Sequence, residues 1–311
     1  MEQLLTMEEA VAAVENAFLL LGQGRGDNKA RQRPRLERSG LQVMAAALEG
    51  VGMGLKAYTI SERGARFVVL LWAPDTGDLL AMIEADKLGQ MRTGAATGVA
   101  TRCLSRSDSS TVGIIGSGWQ ARSQLEAVCL VRPIRSSWVY SPNPEHRSAF
   151  AEDMSRKLGV PVEPVQDAES AVGQADIVVT VTKSEKPLFA GSLLRDGTHI
   201  NAAGSNRSTA QELDISAIER MDLITVDHLP QAQIEAGDLI PAVDCGVLTW
   251  DHVVELADVV SGRVAGRTNE RMLTLFESQG AALEDVAVAR VIYENARKKS
   301  MGTWLPESIL G

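Results

Sequence analysis

The segment from Thr111 to Cys129 constrains this chain more than any other. An apolar run, Val112-Gly113-Ile114-Ile115, leads into Gly116-Ser117-Gly118-Trp119-Gln120-Ala121, and a helical pattern follows from about Ala121 to Cys129. A buried strand, a glycine turn and a helix in that order give the string G-x-G-x-x-A a physical meaning it lacks in isolation. Gly116 permits the tight turn, Gly118 lets the backbone approach a pyrophosphate, and Ala121 lets helix and strand pack closely. Free N–H groups at the helix start add a partial positive charge. The segment therefore predicts a dinucleotide site.

The flanking pattern extends this to a domain. Strand-like runs recur at 137–140, 176–181, 199–202 and 223–226, with a helix over about 144–158. Continuous apolar strands separated by helices predict a doubly wound parallel sheet of the Rossmann type, in an α/β fold. Upstream the pattern differs. Residues 7–21 read as an amphipathic helix behind a Thr6 N-cap, followed by β-like runs at 41–44, 54–58, 67–72 and 79–83. A helix rich in small residues then spans 86–104, open to close approach by another backbone or a ligand. A last amphipathic helix over 283–299 is placed to pack back on the first domain. The expected division is 1–108 with 281–311, and 109–280.

Composition narrows the partners. A net charge of −9 argues against a general binder of nucleic acid or membrane surfaces, both of which are anionic. The basic stretch Arg25, Lys29, Arg31, Arg33, Arg35 and Arg38 reads as a solvated loop or as cations for a small anion. Three widely spaced cysteines predict neither a disulfide framework nor a zinc cage, and the four histidines lack ligand spacing, so no metal is expected. Without a basic N-terminus or an apolar run of spanning length, the expected location is cytoplasmic.

Two further readings concern ligands. NAD sites usually carry a carboxylate at the end of the second strand, but here the chain reads Tyr140-Ser141-Pro142-Asn143. Ser141 does not repel a 2′-phosphate, and His146 and Arg147 follow, so the expectation is NAD(P) with a lean to NADP. Ser141, Asn143 and Arg147 join the candidate cofactor contacts, with Thr180, Val181 and Thr182 at the end of the third strand. Meanwhile Arg35, Lys56 and Arg92 place cations in otherwise apolar segments. That is costly unless they meet an anion or paired carboxylates, and the pattern leaves both open.

Taken in order, several blocks resemble the ornithine cyclodeaminase/μ-crystallin family, which includes alanine dehydrogenases and ketimine reductases. They are Gly54-Leu55-Lys56, Arg92-Thr93-Gly94-Ala95-Ala96, residues 113–122, residues 199–206 and Glu235-Ala236-Gly237-Asp238-Leu239. The resemblance implies a Rossmann domain joined to a dimerisation and substrate domain built from both chain ends. It implies that Arg35, Lys56 and Arg92 hold a substrate carboxylate, with Lys56 also donating a proton. It further places Thr93 near the cofactor phosphates and Gly204, Ser205 and Asn206 near the nicotinamide.

Two departures bear on the chemistry. Gln42 stands where cyclodeaminases carry a glutamate for the distal amine, and Asn206 where they carry a catalytic aspartate. An amide neither takes up a proton as a carboxylate does nor pairs as strongly with an ammonium. Asp227 is a nearby acid with either an indirect or a structural role. The expected activity is NAD(P)H-dependent redox chemistry at the C–N bond of a small 2-imino or 2-amino acid, by a homodimer. A cyclodeaminase-type lyase with bound NAD is the alternative, and a crystallin-like NADPH-binding protein a third.

Overall fold

Alternating burial along consecutive strands builds the first sheet. The computed structural model describes residues 3–303, so the end of the 281–311 segment lies outside the described residues. α1 (Met7–Gly22) starts at Thr6, whose side chain accepts from the Glu9 amide at 3.2 Å while the Thr6 amide donates to Glu9 at 2.8 Å. This reciprocal box satisfies two of the helix's otherwise orphaned donors. Then follow β1 (Gly26–Asn28), β2 (Ser39–Leu48), β3 (Gly52–Ser61), β4 (Gly64–Trp72) and β5 (Leu79–Glu84), an antiparallel sheet in sequential order.

Because strand side chains alternate, Gln42, Met44 and Ala46 of β2 share one buried face with Lys56 and Tyr58 of β3 and Val69 and Leu71 of β4. The other face is only half covered: Met53 and Met82 are 40% and 71% exposed, and Ala45, Leu55 and Leu70 are half-buried between them. α2 (Asp86–Leu104) follows.

The parallel sheet begins with β6 (Thr111–Ile115), α3 (Trp119–Val131), β7 (Ser136–Tyr140), α4 (Pro144–Leu158), β8 (Val162–Pro164), α5 (Ala168–Val172), β9 (Ile177–Thr180) and β10 (His199–Ala202). It continues through α6 (Ile215–Glu219), β11 (Leu223–Val226), α7 (Leu229–Glu235), α8 (Ile240–Asp244), β12 (Val253–Glu255), α9 (Leu256–Val260) and β13 (Thr274–Glu277). All eight strands run parallel in the order β12-β11-β13-β10-β9-β6-β7-β8. Strand order reverses around β6, which makes the carboxyl ends of β6 and β9 the switch point where such sheets take ligands. The sequence pattern places β6, β7 and β9 to β11 within a residue, but it cuts β2, β3 and β4 short by up to four residues at an end and misses β1, β8, β12, β13 and the five-to-seven-residue helices.

α10 (Ala282–Lys298) returns to the first sheet, lying against α1, β2 and β3. The chain accordingly divides into two compact units. One runs to Arg92 and resumes at Ala281; the other is Thr93–Gly280. The first border falls inside α2, ahead of the 108/109 position expected from the end of that helix. Among the described residues, no helix is long and apolar enough to cross a membrane.

The small-residue run in α2 has a packing cause. A Cβ on Gly94 would sit 2.5 Å from the Ser123 carbonyl oxygen of α3, so the two backbones touch there. Helix propensity alone would make Gly94→Ala stabilising by about 1 kcal/mol. The contact predicts the opposite sign, a loss of ~3 kcal/mol in urea unfolding.

Candidate active site

In the first unit, Lys56 lies on the buried face of β3 at 3% exposure. Its Nζ donates to Asp285 Oδ1 of α10 at 2.8 Å and sits 5.9 and 5.8 Å from the ring centroids of Tyr58 and Phe67, which stack on each other. Gly89 of α2 gives it room: a Cβ there would approach Nζ to 3.3 Å. Arg92 binds the two carboxylates at the start of α10, with Nη1 2.8 Å from Glu284 Oε2 and Nε 3.2 Å from Asp285 Oδ1. Burial, and then the Arg92 charge, lower the Lys56 ammonium from 10.5 to about 8. Asp285 opposes that shift, and Arg31 adds to it. Burial likewise raises Glu284, against the pull of Arg92.

Structural ion pairing and anion binding, left open by the sequence, are thus not exclusive here. Lys56 and Arg92 do have paired carboxylates. Even so, burial and then the Arg92 charge make Lys56 hold its proton less firmly than in water, the setting in which a bound anion is favourable. Arg35, the expected third cation, is not part of this cluster. It is exposed and bridges to Gly40 in an antiparallel β-bridge. Arg31, four residues earlier, is the buried one at 6% exposure, and its charge is felt at Lys56. Backbone pairing of Lys29 to Ala45 and of Gln32 to Val43 sets which side chains of this stretch turn inward. Gln42 is buried beside the cluster, opposite Tyr58 in the strand register, and its Oε1 has no hydrogen-bond partner among the described residues.

In the second unit the glycine turn has the expected form. Gly116 has φ +114°, and a Cβ there would meet the Val181 carbonyl oxygen at 2.5 Å, so only glycine fits. Gly118 is the N-cap of α3 without a side-chain cap, and a Cβ on it would meet nothing within 4 Å. The protein itself therefore does not require glycine at that point, whereas a closely approaching ligand does. Open amides at a helix start and open space above Gly118 fit a pyrophosphate.

The Ser117 hydroxyl donates to that of Ser141 at 2.8 Å, linking the turn to the end of β7. Arg147 is buried, and its two terminal nitrogens go to the Ser141 carbonyl at 2.9 Å and Gln166 at 2.8 Å, with the Tyr140 ring 5.8 Å away. It brings charge to this end of the site but is not laid out as a phosphate fork. The Asn143 side chain caps α4 through the His146 amide at 3.0 Å. Trp119 is half exposed.

One residue the sequence reading missed organises the loops after β9 and β10. Buried Glu212 accepts from Thr180 Oγ1 at 2.9 Å, the Thr182 amide at 2.6 Å and the Gly204 amide at 3.1 Å. The segments after β9 and β10 are thereby tied to one carboxylate. Asp238, from the Glu235–Leu239 block, fixes Glu212 in turn by accepting from the Glu212 and Leu213 amides at 2.6 and 2.9 Å. Asp227 has a structural role, accepting from the Ser278 hydroxyl and the Gly280 amide. No local pattern marks a buried glutamate between two loops; only the fold shows it.

The family model described as "Ornithine cyclodeaminase/mu-crystallin family" matches residues 1–300. The chain belongs to that family. Alanine dehydrogenase of Archaeoglobus fulgidus is 35% identical over 314 residues, covering 97% of this chain and 94% of its own length. Thermococcus litoralis Δ1-pyrroline-2-carboxylate reductase, solved with NADH and L-proline, superposes with a TM-score of 0.93 at 38% identity, covering 98% of this chain and 97% of that one. An archaeal alanine dehydrogenase dimer with bound NAD gives 0.92 at 35% identity, covering 98% and 96%.

The buried acids carry a pH signature. Burial first, and the Glu212 charge, raise Asp238 from 3.8 to about 7, and Glu277 moves the same way. A carboxyl that holds its proton better when folded adds stability below its unfolded value and loses it as pH rises through its folded one. The melting temperature should therefore fall between about pH 4 and pH 7. Asp238→Asn, whose amide oxygen still accepts both backbone bonds, should fall less over that range; parallel melting curves would contradict the assignment.

Proposed function

We propose that this protein is an NAD(P)H-dependent oxidoreductase acting on the carbon–nitrogen bond of a small 2-imino or 2-amino acid. The observation that carries the reading is the buried Lys56, lowered to about 8 beside Arg92 and Arg31, in a chain of this family. Arg31 and Arg92 hold the substrate carboxylate, and fixed geometry converts that binding energy into alignment of C2. Lys56 delivers a proton to the nitrogen. A reduced dinucleotide held over Gly118 at the start of α3 would supply the hydride to C2, so that the C=N π bond would be replaced by one C–H and one N–H bond. Run in reverse, neutral Lys56 takes the proton back from an amino acid.

Several site features support the detail. Glu212 holds Thr180, Thr182 and Gly204 in the loops that flank the dinucleotide, with Thr93, Ser205 and Asn206 completing its surroundings. The relatives solved with NADH and NAD support a nicotinamide cofactor, and Ser141 without a carboxylate leaves the 2′-phosphorylated form acceptable. Gln42 and Asn206 in place of acids weigh against ornithine cyclisation. The half-covered apolar face of the first sheet and the dimeric alanine dehydrogenase support a homodimer.

Purified protein should change the near-ultraviolet absorbance of the reduced cofactor with at least one of alanine, pyruvate plus amines, or Δ1-pyrroline-2-carboxylate. A flat signal throughout, with ammonia released from ornithine, would indicate the lyase instead. Lys56→Ala should abolish turnover while dinucleotide affinity stays within a few-fold. In the same assay Arg31→Ala should raise KM for the imino acid ~100-fold, whereas Arg35→Ala should leave it nearly unchanged.

A further inference from the structure

The first turn of α10 presents two adjacent buried carboxylates to two different cations. Glu284, fully buried, takes Arg92 Nη1 at 2.8 Å and also caps its own helix through the Ala281 amide at 2.9 Å. Asp285, 1% exposed, takes Lys56 Nζ on Oδ1 at 2.8 Å, with Arg92 Nε on the same oxygen at 3.2 Å. Its other oxygen is buried and has no hydrogen-bond partner among the described residues. The groups facing Lys56 are therefore Asp285 from α10, with Glu284 behind Arg92, Arg92 itself from α2, Arg31 from the stretch after β1, and the Tyr58 ring on its own strand.

We propose that Asp285 is the positioning residue of Lys56, orienting its ammonium and holding its proton until the substrate nitrogen takes it. The proposal rests on the reading of Lys56 as the proton donor. The division of labour follows from geometry. Glu284 anchors the guanidinium that binds the carboxylate, whereas Asp285 touches both that guanidinium and the donor, so it fixes the distance between the two functions. When Lys56 gives up its proton, the neutral amine keeps an N–H bond to Oδ1 and does not swing away, and solvent restores the proton after product leaves. The unpartnered Oδ2 offers one acceptor to an N–H brought by the ligand.

The reduction needs the ammonium form, so its rate should fall as pH rises through the Lys56 value of about 8. Asp285→Asn removes the charge that keeps the proton on, and should move this limb to lower pH by about one unit or more. The same displacement should appear in the titration of Lys56 followed by NMR of ¹³Cε-labelled lysine, assigned with Lys56→Arg. Asp285→Glu should restore the limb, and Asp285→Ser carries the test if the asparagine variant does not fold. Glu284→Gln should instead raise KM and leave the limb in place.

If the wild type reduces imines while limb and NMR midpoint stay unmoved in Asp285→Asn, the proposal is overturned. If no imine is reduced but the Lys56 midpoint moves, the reductase reading fails and the control of Lys56 by Asp285 stands.

Discussion

A lysine and an arginine buried in a small domain need counter-charges, and here both come from the opposite end of the chain. Lys56 lies 229 residues from Asp285 and Arg92 192 residues from Glu284, yet each pair closes to 2.8 Å. Breaking one partner of a buried pair costs about 3–5 kcal/mol, because the other is left uncompensated. The cluster obliges α10 to return to β3 and α2, and so explains why the first unit is assembled from both ends of the sequence. The dinucleotide-binding sheet occupies the stretch between them.

The second unit uses the same device with different groups. There a carboxylate, Glu212, replaces backbone pairing for the loops beyond β9 and β10, taking two amides and a hydroxyl that would otherwise lie unsatisfied in a buried place. Asp238 and Glu277 stack further acids behind it, all raised by burial. Each unit thus positions its chemistry with buried charge. The glycine turn differs: Gly116 is dictated by the fold through its φ and the Val181 carbonyl, while Gly118 is open to the space a ligand would fill.

Much of this was legible beforehand, and the limits are physical. The periods of α1 and α10 and of strands β2 to β4 show in the sequence because each buries one face over several repeats. β1, β8, β12, β13 and the five-to-seven-residue helices α5 to α9 are too short to show a period, whereas the four-residue β9, β10 and β11 show as continuous apolar runs. Lys56 and Arg92 stood out as cations in apolar segments, but nothing local could reveal their partners. Within the basic stretch, Arg31 and Arg35 look alike; the strand pairing of Lys29 and Gln32 turns one inward and leaves the other in solvent. Asn143 and Arg147 are cofactor-contact candidates by position; the fold shows in addition that Asn143 Oδ1 caps α4 and that Arg147 Nη1 and Nη2 go to the Ser141 carbonyl and Gln166.

We propose that the buried cluster of Lys56, Arg92 and Arg31 recognises a carboxylate. Calorimetric titration of the cofactor-loaded protein with pyrrole-2-carboxylate and with the uncharged pyrrole-2-carboxamide, alike in shape, tests it most directly. The account predicts that the acid binds at least ~100-fold more tightly than the amide. Equal affinity for the two would contradict it.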